Sequence, residues 1–378
     1  MRIPGRGPGG SVIKATVAAA VTAALAVTGA AAGGAGGKHD GQKTADQPLR
    51  VALASNWNKR PPAEFGFSDS GPGFLKAAEE AAQAGSSVAR LAVSWTNVLQ
   101  LGAKGPLPEW TEQSDSERFN PELGFKNLDQ VVEVLRANGI RPLLTVSDAP
   151  PHTNPDVQPN PGLFYIRPPL DRFDGEFAAF YAVLAQRYPD AVLQVWSEPN
   201  LEYYGKIPPD RYVELAEAAA AAVHAVNPDQ TVIGAAPSPG DNAWRQYLRA
   251  VYSSLDPSIE VGVNLYPRKG RSLERAMRRL SKDFHRVKKL ARGRPIWVTE
   301  TGLASIQFGV KRQAKGSAQI YKILSGGNAE AVIFHRLIDP DYGINEWEDS
   351  LGALDFDGAR TPLYNRLQHL RLRHLRMR

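Results

Sequence analysis

Two glutamates stand at equivalent positions in two similar stretches. One is Glu198, in Val192-Leu193-Gln194-Val195-Trp196-Ser197-Glu198-Pro199-Asn200. The other is Glu300, in Pro295-Ile296-Trp297-Val298-Thr299-Glu300-Thr301-Gly302. Each closes a short, mostly apolar run of the kind that forms a strand buried on both faces. In the first stretch Pro199 then stops the pairing. An ionised carboxylate beside an apolar strand costs free energy unless a site makes use of it. Two strands that deliver such groups to one edge of a sheet would set two carboxyls face to face, the arrangement that cleaves glycosidic bonds.

The rest of the chain must supply the frame. After residue 48, strand-like and helix-like segments alternate. Strands are expected over 49–55, 87–94, 140–146, 192–196, 231–236, 259–265, 295–300 and 331–334. Helices are expected over 74–84, about 128–137, 171–188, 209–227, 244–253, 273–291 and 313–324, with a last one near the end. Asp171 is the expected N-cap of its helix, and Asn138-Gly139 and Gly326-Gly327 are expected helix stops. Long loops carrying several prolines follow the second and third strands. Eight units in strict alternation predict an α/β fold, a single-domain (β/α)8 TIM barrel over residues 49–378. A doubly wound open sheet usually has fewer units and a glycine-rich phosphate loop after its first strand; here that strand runs into Asn56-Trp57-Asn58.

Active sites of such barrels lie at the C-terminal strand ends. Read in order, those ends offer Trp57, then Arg90 to Trp95, Asp148 and His152, Glu198 and Asn200, Ser238, Tyr266, Glu300 and His335, with Trp347 in the loop beyond. Aromatic rings suit the C–H-rich faces of sugars, and polar groups suit their hydroxyls.

Trp196-Ser197-Glu198-Pro199-Asn200 and Val298-Thr299-Glu300-Thr301-Gly302 resemble the acid/base and nucleophile motifs of the clan A retaining glycoside hydrolases, closest in flavour to families five and thirty-nine. The resemblance implies that Glu198 is the general acid/base and Glu300 the nucleophile. It also implies that Tyr266 donates a hydrogen bond to the nucleophile and that Arg90 holds it ionised. The clan usually has Asn just before the acid/base, bonding the substrate 2-hydroxyl; here that residue is Ser197, whose reach is shorter. Many relatives carry a tryptophan platform after strand eight, where this chain has His335; Trp347 is the expected substitute. The substrate-binding set is therefore Arg90, Ser197, Asn200, Tyr266, Trp57, Trp95, Asp148, His152, His335 and Trp347.

Composition narrows the alternatives. The chain has 378 residues, 43% of them hydrophobic, enough for a large core. It has no cysteine, which excludes disulfides, thiolate metal sites and cysteine nucleophiles. The net charge of +6 is modest and does not indicate nucleic acid. No His pair has metal-ligand spacing on a helix, and no metal or organic cofactor is expected. Arg2, Arg6 and Lys14 precede an Ala- and Val-rich run that ends in small residues, the layout of a secretory signal peptide over 1–32. Residues 33–48 are Gly-rich and polar, a flexible linker.

Apparent motifs elsewhere fail. Gly5-Arg6-Gly7-Pro8-Gly9-Gly10 lies in the targeting segment, Ser238 sits between prolines without the first glycine of a nucleophile elbow, and Asp355-Phe356-Asp357-Gly358 lacks the spaced Glu of a calcium loop. The basic runs 275–294 and 366–378 read as solvated helix faces, with anionic cell-wall polymers as a further expected contact. The expectation is a secreted, monomeric enzyme that hydrolyses β-linked oligo- or polysaccharide by double displacement. The alternative is a carbohydrate-binding barrel with little or no turnover.

Overall fold

The structure, a computed structural model, describes residues 64–69, 74–102, 121–154, 168–267, 272–339 and 347–376. Eight parallel strands form one sheet: β1 (Glu64–Asp69), β2 (Val88–Ser94), β3 (Arg141–Ser147), β4 (Val192–Val195), β5 (Val232–Ile233), β6 (Val261–Asn264), β7 (Ile296–Thr301) and β8 (Ala331–His335). β1 lies between β2 and β8, and the remaining pairs follow chain order. β5 and β6 meet through one parallel bridge, Ile233 to Glu260. There the Glu260 N–H donates to Val232 O and the Gly234 N–H donates to Glu260 O, both at 2.9 Å. That bridge closes the ring into a (β/α)8 barrel.

The principal helices are α1 (Phe74–Gln83), α2 (Trp95–Gly102), α3 (Lys126–Ala137), α4 (Asp174–Arg187), α5 (Pro209–Val226), α6 (Trp244–Ser254), α7 (Leu273–Ala291), α8 (Val310–Gly326) and α9 (Pro362–Arg376). Their limits follow local chemistry. Pro209 opens α5 at a position where its missing N–H costs nothing. Ser272 caps α7, its Oγ accepting from the Arg275 N–H. Gly139, at φ 69°, ends α3 in the left-handed region.

Several expectations need correction. The strand between β2 and β8 is Glu64–Asp69, while residues 49–55, the expected first strand, lie outside the described residues. So do Trp57 and the expected signal peptide and linker. The chain leaves β2 directly into α2, so Trp95 starts a helix rather than a loop, and strict alternation is broken there. Asp171 does not cap α4: it opens a 3-10 turn, Asp171–Phe173, and pairs with Arg211, and α4 begins at Asp174 without a side-chain cap. β5 is two residues long rather than six.

The core has two layers. Between the strands and the helices lies a large apolar shell. Inside the ring, Val88, Leu143, Val192, Ile233, Trp297, Ala331 and Ile333 fill the lower barrel. Side chains alternate along a strand, so inward positions recur every second residue. Two residues beyond Val88, Leu143, Val192 and Trp297 stand Arg90, Thr145, Gln194 and Thr299, all buried and polar. The interior therefore changes from apolar to polar within one pleat, towards the strand C-termini. Among the described residues, no helix is long and apolar enough to cross a membrane.

The β5–β6 seam has little ladder to hold it. The Tyr252 hydroxyl supplies part of the deficit, accepting from the Gly262 N–H at 2.9 Å and donating to Ala235 O at 3.0 Å. Tyr252 is 2% exposed, so no water replaces these bonds. Tyr252→Phe leaves a buried donor and acceptor unpaired, and is expected to cost about 1–3 kcal/mol. A urea midpoint equal to that of the parent protein would refute this account of the seam.

Candidate active site

Arg90 is the centre of the upper barrel. It lies on β2, is 7% exposed, and its guanidinium donates to three groups. Nε donates to Gln194 Oε1 at 3.0 Å, Nη1 to Glu300 Oε1 at 2.7 Å and Nη2 to Ser197 Oγ at 2.9 Å. One buried cation thus binds β4, the segment after it, and β7.

Glu300 reaches this cation because β7 is irregular. Val298 pairs with Val263 on β6, yet the next partners are Glu300 and Asn264, so β7 holds an extra residue there. The same shift appears against β8, between Val298 and Thr301. Thr299 already faces inward, bonding Asn264 Oδ1 at 2.9 Å. Without the bulge Glu300 would point outward to the helices; with it, both residues serve the interior. Glu300 Oε2 then accepts from the Tyr266 hydroxyl at 3.0 Å. Burial disfavours the charged carboxylate, but Arg90, His335 and Tyr266 outweigh it and hold Glu300 below the usual carboxylate range.

Glu198 has different surroundings. Trp196 and Glu198 take left-handed backbone angles, φ 64° and 43°. Such conformations cost about 1–3 kcal/mol each in a non-glycine residue. Packing and hydrogen bonds around Trp196 hold this turn. Its N–H donates to Val146 O, its indole Nε1–H donates to Tyr204 O at 2.9 Å, and its carbonyl accepts from Gln194 Nε2 at 3.2 Å. Glu198 Oε1 accepts from Asn264 Nδ2 at 2.9 Å, and among the described residues no cation pairs with it. Burial, joined by the charge of Glu300, pushes its carboxyl up to about 7. Asn264 and Ser238 act the other way, favouring the charged form. Asn264 is also the register partner of Glu300, so one side chain ties the two carboxyl sites together.

The other expected residues fall into two groups. Tyr266 packs edge-on against Trp347, ring centroids 5.3 Å apart, an aromatic wall beside Glu300. His335 ends β8, and its interaction with Glu300 places it on the same rim. Ser197 is buried, its hydroxyl oxygen occupied by Arg90. Asp148, also left-handed at φ 63°, accepts from the Ser94 hydroxyl, and burial raises its pKa. The remaining three have partners within the protein. Trp95 is 1% exposed and packs with Phe177 and Phe180 in the core, where it offers no face to a ligand. Asn200 spends its amide on Ser238, donating to the carbonyl and accepting from the N–H. His152 is held by Glu176 at 3.1 Å and edge-on by Phe173.

Sequence reading missed Gln194, Asn264, Thr299 and Tyr204. The first three carried a signal: each is a polar residue inside an otherwise apolar strand, at an inward position. Tyr204 carried none. It lies in a 3-10 turn after β4, half-buried near Glu300, Glu198 and Arg90, with Tyr203 edge-on to it at 4.9 Å.

No family model and no curated protein sequence matches the chain. In fold it is similar to several solved structures. A family 39 glycoside hydrolase from Bacteroides cellulosilyticus WH2 superposes with a TM-score of 0.59 at 19% identity, over 82% of this chain. The chain spans 63% of the length of that protein. GH5_18 from Streptomyces cattleya, solved with GlcNAc, gives 0.63 at 17% identity, over 84% of this chain and 81% of that one. The endoglucanase Cel5A from Thermotoga maritima gives 0.56 at 15% identity, over 80% and 96%. The chain is therefore a (β/α)8 barrel with the architecture of the family 5 and family 39 glycoside hydrolases.

Proposed function

We propose that this protein is a glycoside hydrolase that cleaves a β-linked oligo- or polysaccharide with retention of configuration. The observation that carries the reading is the opposite treatment of two carboxyls joined through one network. Glu300 is bonded by a guanidinium and a phenol, which favour its charged form. Glu198 is buried beside Glu300, and these favour its protonated form against the opposing pull of the neutral Asn264 amide. Environments that push two acids apart in pKa assign a base and an acid.

In the first step a Glu300 oxygen attacks the anomeric carbon while the Glu198 proton passes to the leaving glycosidic oxygen. The products are a glycosyl-enzyme ester and the freed alcohol. In the second step Glu198, now ionised, takes a proton from water, whose oxygen displaces Glu300 from the same carbon. Arg90 and Tyr266 neutralise the charge that returns to Glu300. The Tyr266–Trp347 wall and His335 give the sugar a surface beside it. The charged, apolar and small segments of residues 1–32 support export of the enzyme. Fold similarity to family 5 and family 39 proteins supports the reaction class; the sugar is unassigned.

Glu300→Gln is expected to lower hydrolysis of an aryl β-glycoside by about 10³-fold or more, and Glu198→Ala by about 10²–10⁴-fold, the usual reach of acid–base catalysis. Azide should restore turnover of an activated substrate by the Glu198 variant and release a β-glycosyl azide. Full activity of Glu300→Gln would end the proposal.

The pH profile should be bell-shaped. Glu300 must be ionised, and its pKa is lowered, so the acid limb lies below the ordinary carboxylate range. Glu198 must be protonated, so kcat/KM should fall as pH rises through about 7. The two limbs belong to the coupled pair. Asn264→Ala removes a bond that favours ionised Glu198, and should move the alkaline limb to higher pH. An alkaline limb that moves down or stays in place would contradict this role for Asn264.

A further inference from the structure

α8 and α9 pack side by side on the outside of the barrel. Together they contain eight Lys and Arg and no Asp or Glu. That exceeds the net charge of the whole chain, +6, so the remainder is net acidic, although α7 also carries seven Lys and Arg against Glu274 and Asp283. Many of the helix cations elsewhere are neutralised: Arg187 by Asp129, Arg211 by Asp174, Arg286 by Asp283.

A groove of about 600 Å³ runs between α8 and α9. Lys311, Lys315, Arg366 and His369 line it, over a floor that includes Ala314 and Pro362. Among the described residues, Lys311, Lys315 and Arg366 have no carboxylate partner. His369 Nδ1 lies 2.6 Å from Asn365 O, which leaves Nε2 for a ligand. Three full charges of one sign on facing helices repel one another, and an anion between them removes that cost.

The groove has a defined place relative to the catalytic mouth. Lys311 and Lys315 lie in the first two turns of α8, which follows β7 and Glu300. Pro362 and Arg366 lie in the first two turns of α9, which follows β8 and His335. Barrel helices run back against their strands, so their N-terminal turns stand at the face where the strands end. The first turns of α8 and α9 therefore lie at the same end of the barrel as Glu300. The groove lining includes no Phe, Tyr or Trp ring on which nucleobases could stack.

We infer that the α8–α9 groove is a remote binding site for an anionic polysaccharide, whose carboxylate or sulfate groups pair with Lys311, Lys315 and Arg366. This inference rests on the glycoside hydrolase reading for the kind of polymer engaged. It narrows the substrate class to acidic β-glycans and gives the basic surface a function.

Binding separates the inference from the reaction. Fluorescently labelled hyaluronan and chondroitin sulfate oligosaccharides, both β-linked, are titrated against the full chain at two salt concentrations, with neutral cello-oligosaccharide, duplex DNA and phosphatidylglycerol vesicles in parallel. The expected result is salt-sensitive binding of the two acidic glycans, tighter than that of the other three probes. The variant Lys311→Ala/Lys315→Ala/Arg366→Ala should lose about 10-fold or more in affinity at an unchanged melting temperature. Removing Arg275, Arg278 and Arg279 from α7 deletes the same charge and should cost less than about 2-fold. If the groove variant melts early, Lys315→Gln alone supplies the readout at smaller amplitude.

Equal losses from the two triple variants would reduce the effect to net charge and overturn the inference. So would binding of DNA or vesicles as tight as that of the acidic glycans, or no binding of them by the parent protein. Hydrolysis of an aryl glycoside is measured separately. Its absence, with groove binding intact, would count against the catalytic reading alone.

Discussion

The upper half of the barrel depends on one buried guanidinium. Arg90 is almost fully withdrawn from water, and a buried charge without partners is among the most destabilising features a fold can carry. Its partners come from three chain segments up to 210 residues away: Gln194 on β4, Ser197 after it, and Glu300 on β7. Taking one partner from a buried ion pair typically costs about 3–5 kcal/mol, because the other charge stays behind. The register of β7, the turn after β4 and the ionisation of Glu300 are therefore set by the same requirement. What stabilises the cation also prepares the carboxylate.

The interior is arranged in layers to make this possible. The apolar lower layer excludes water and supports the strands. One pleat higher, Thr145, Gln194, Asn264 and Thr299 form a polar layer in which each group has a partner. Gln194 accepts from both Arg90 and Thr145 and donates to the strained Trp196 carbonyl. Left-handed residues end both β3 and β4, at Asp148 and Trp196, on the face where Glu198 and Glu300 project. Strain stored there is offset by packing and hydrogen bonds in the layers beneath it.

The two carboxyls differ because their neighbours differ. Glu300 has a cation and a phenol; Glu198 has an amide, burial and the repulsion of Glu300. Each makes the other's state more definite, since ionised Glu300 keeps the proton on Glu198. Ser197 takes part from below, as an acceptor for Arg90, so its hydroxyl oxygen is turned towards the scaffold.

The order of the strands after the first, the apolar shell and the delivery of Glu198 and Glu300 to strand ends were legible in the sequence. Those features depend on local patterns: apolar runs of strand length, helix periodicity, and proline and glycine stops. The first strand was misplaced because residues 64–69, of weaker apolar pattern, pair between β2 and β8. Trp95 and Asn200 have residue types that suit a sugar site, but packing and a backbone loop claim them. Only the tertiary structure decided the bulge that turns Glu300 inward, the left-handed turn at Glu198, and the joining of Arg90, Gln194 and Asn264 to both. These are matters of register and of long-range charge compensation. They depend on which groups meet when the ring closes, and no local pattern carries that information.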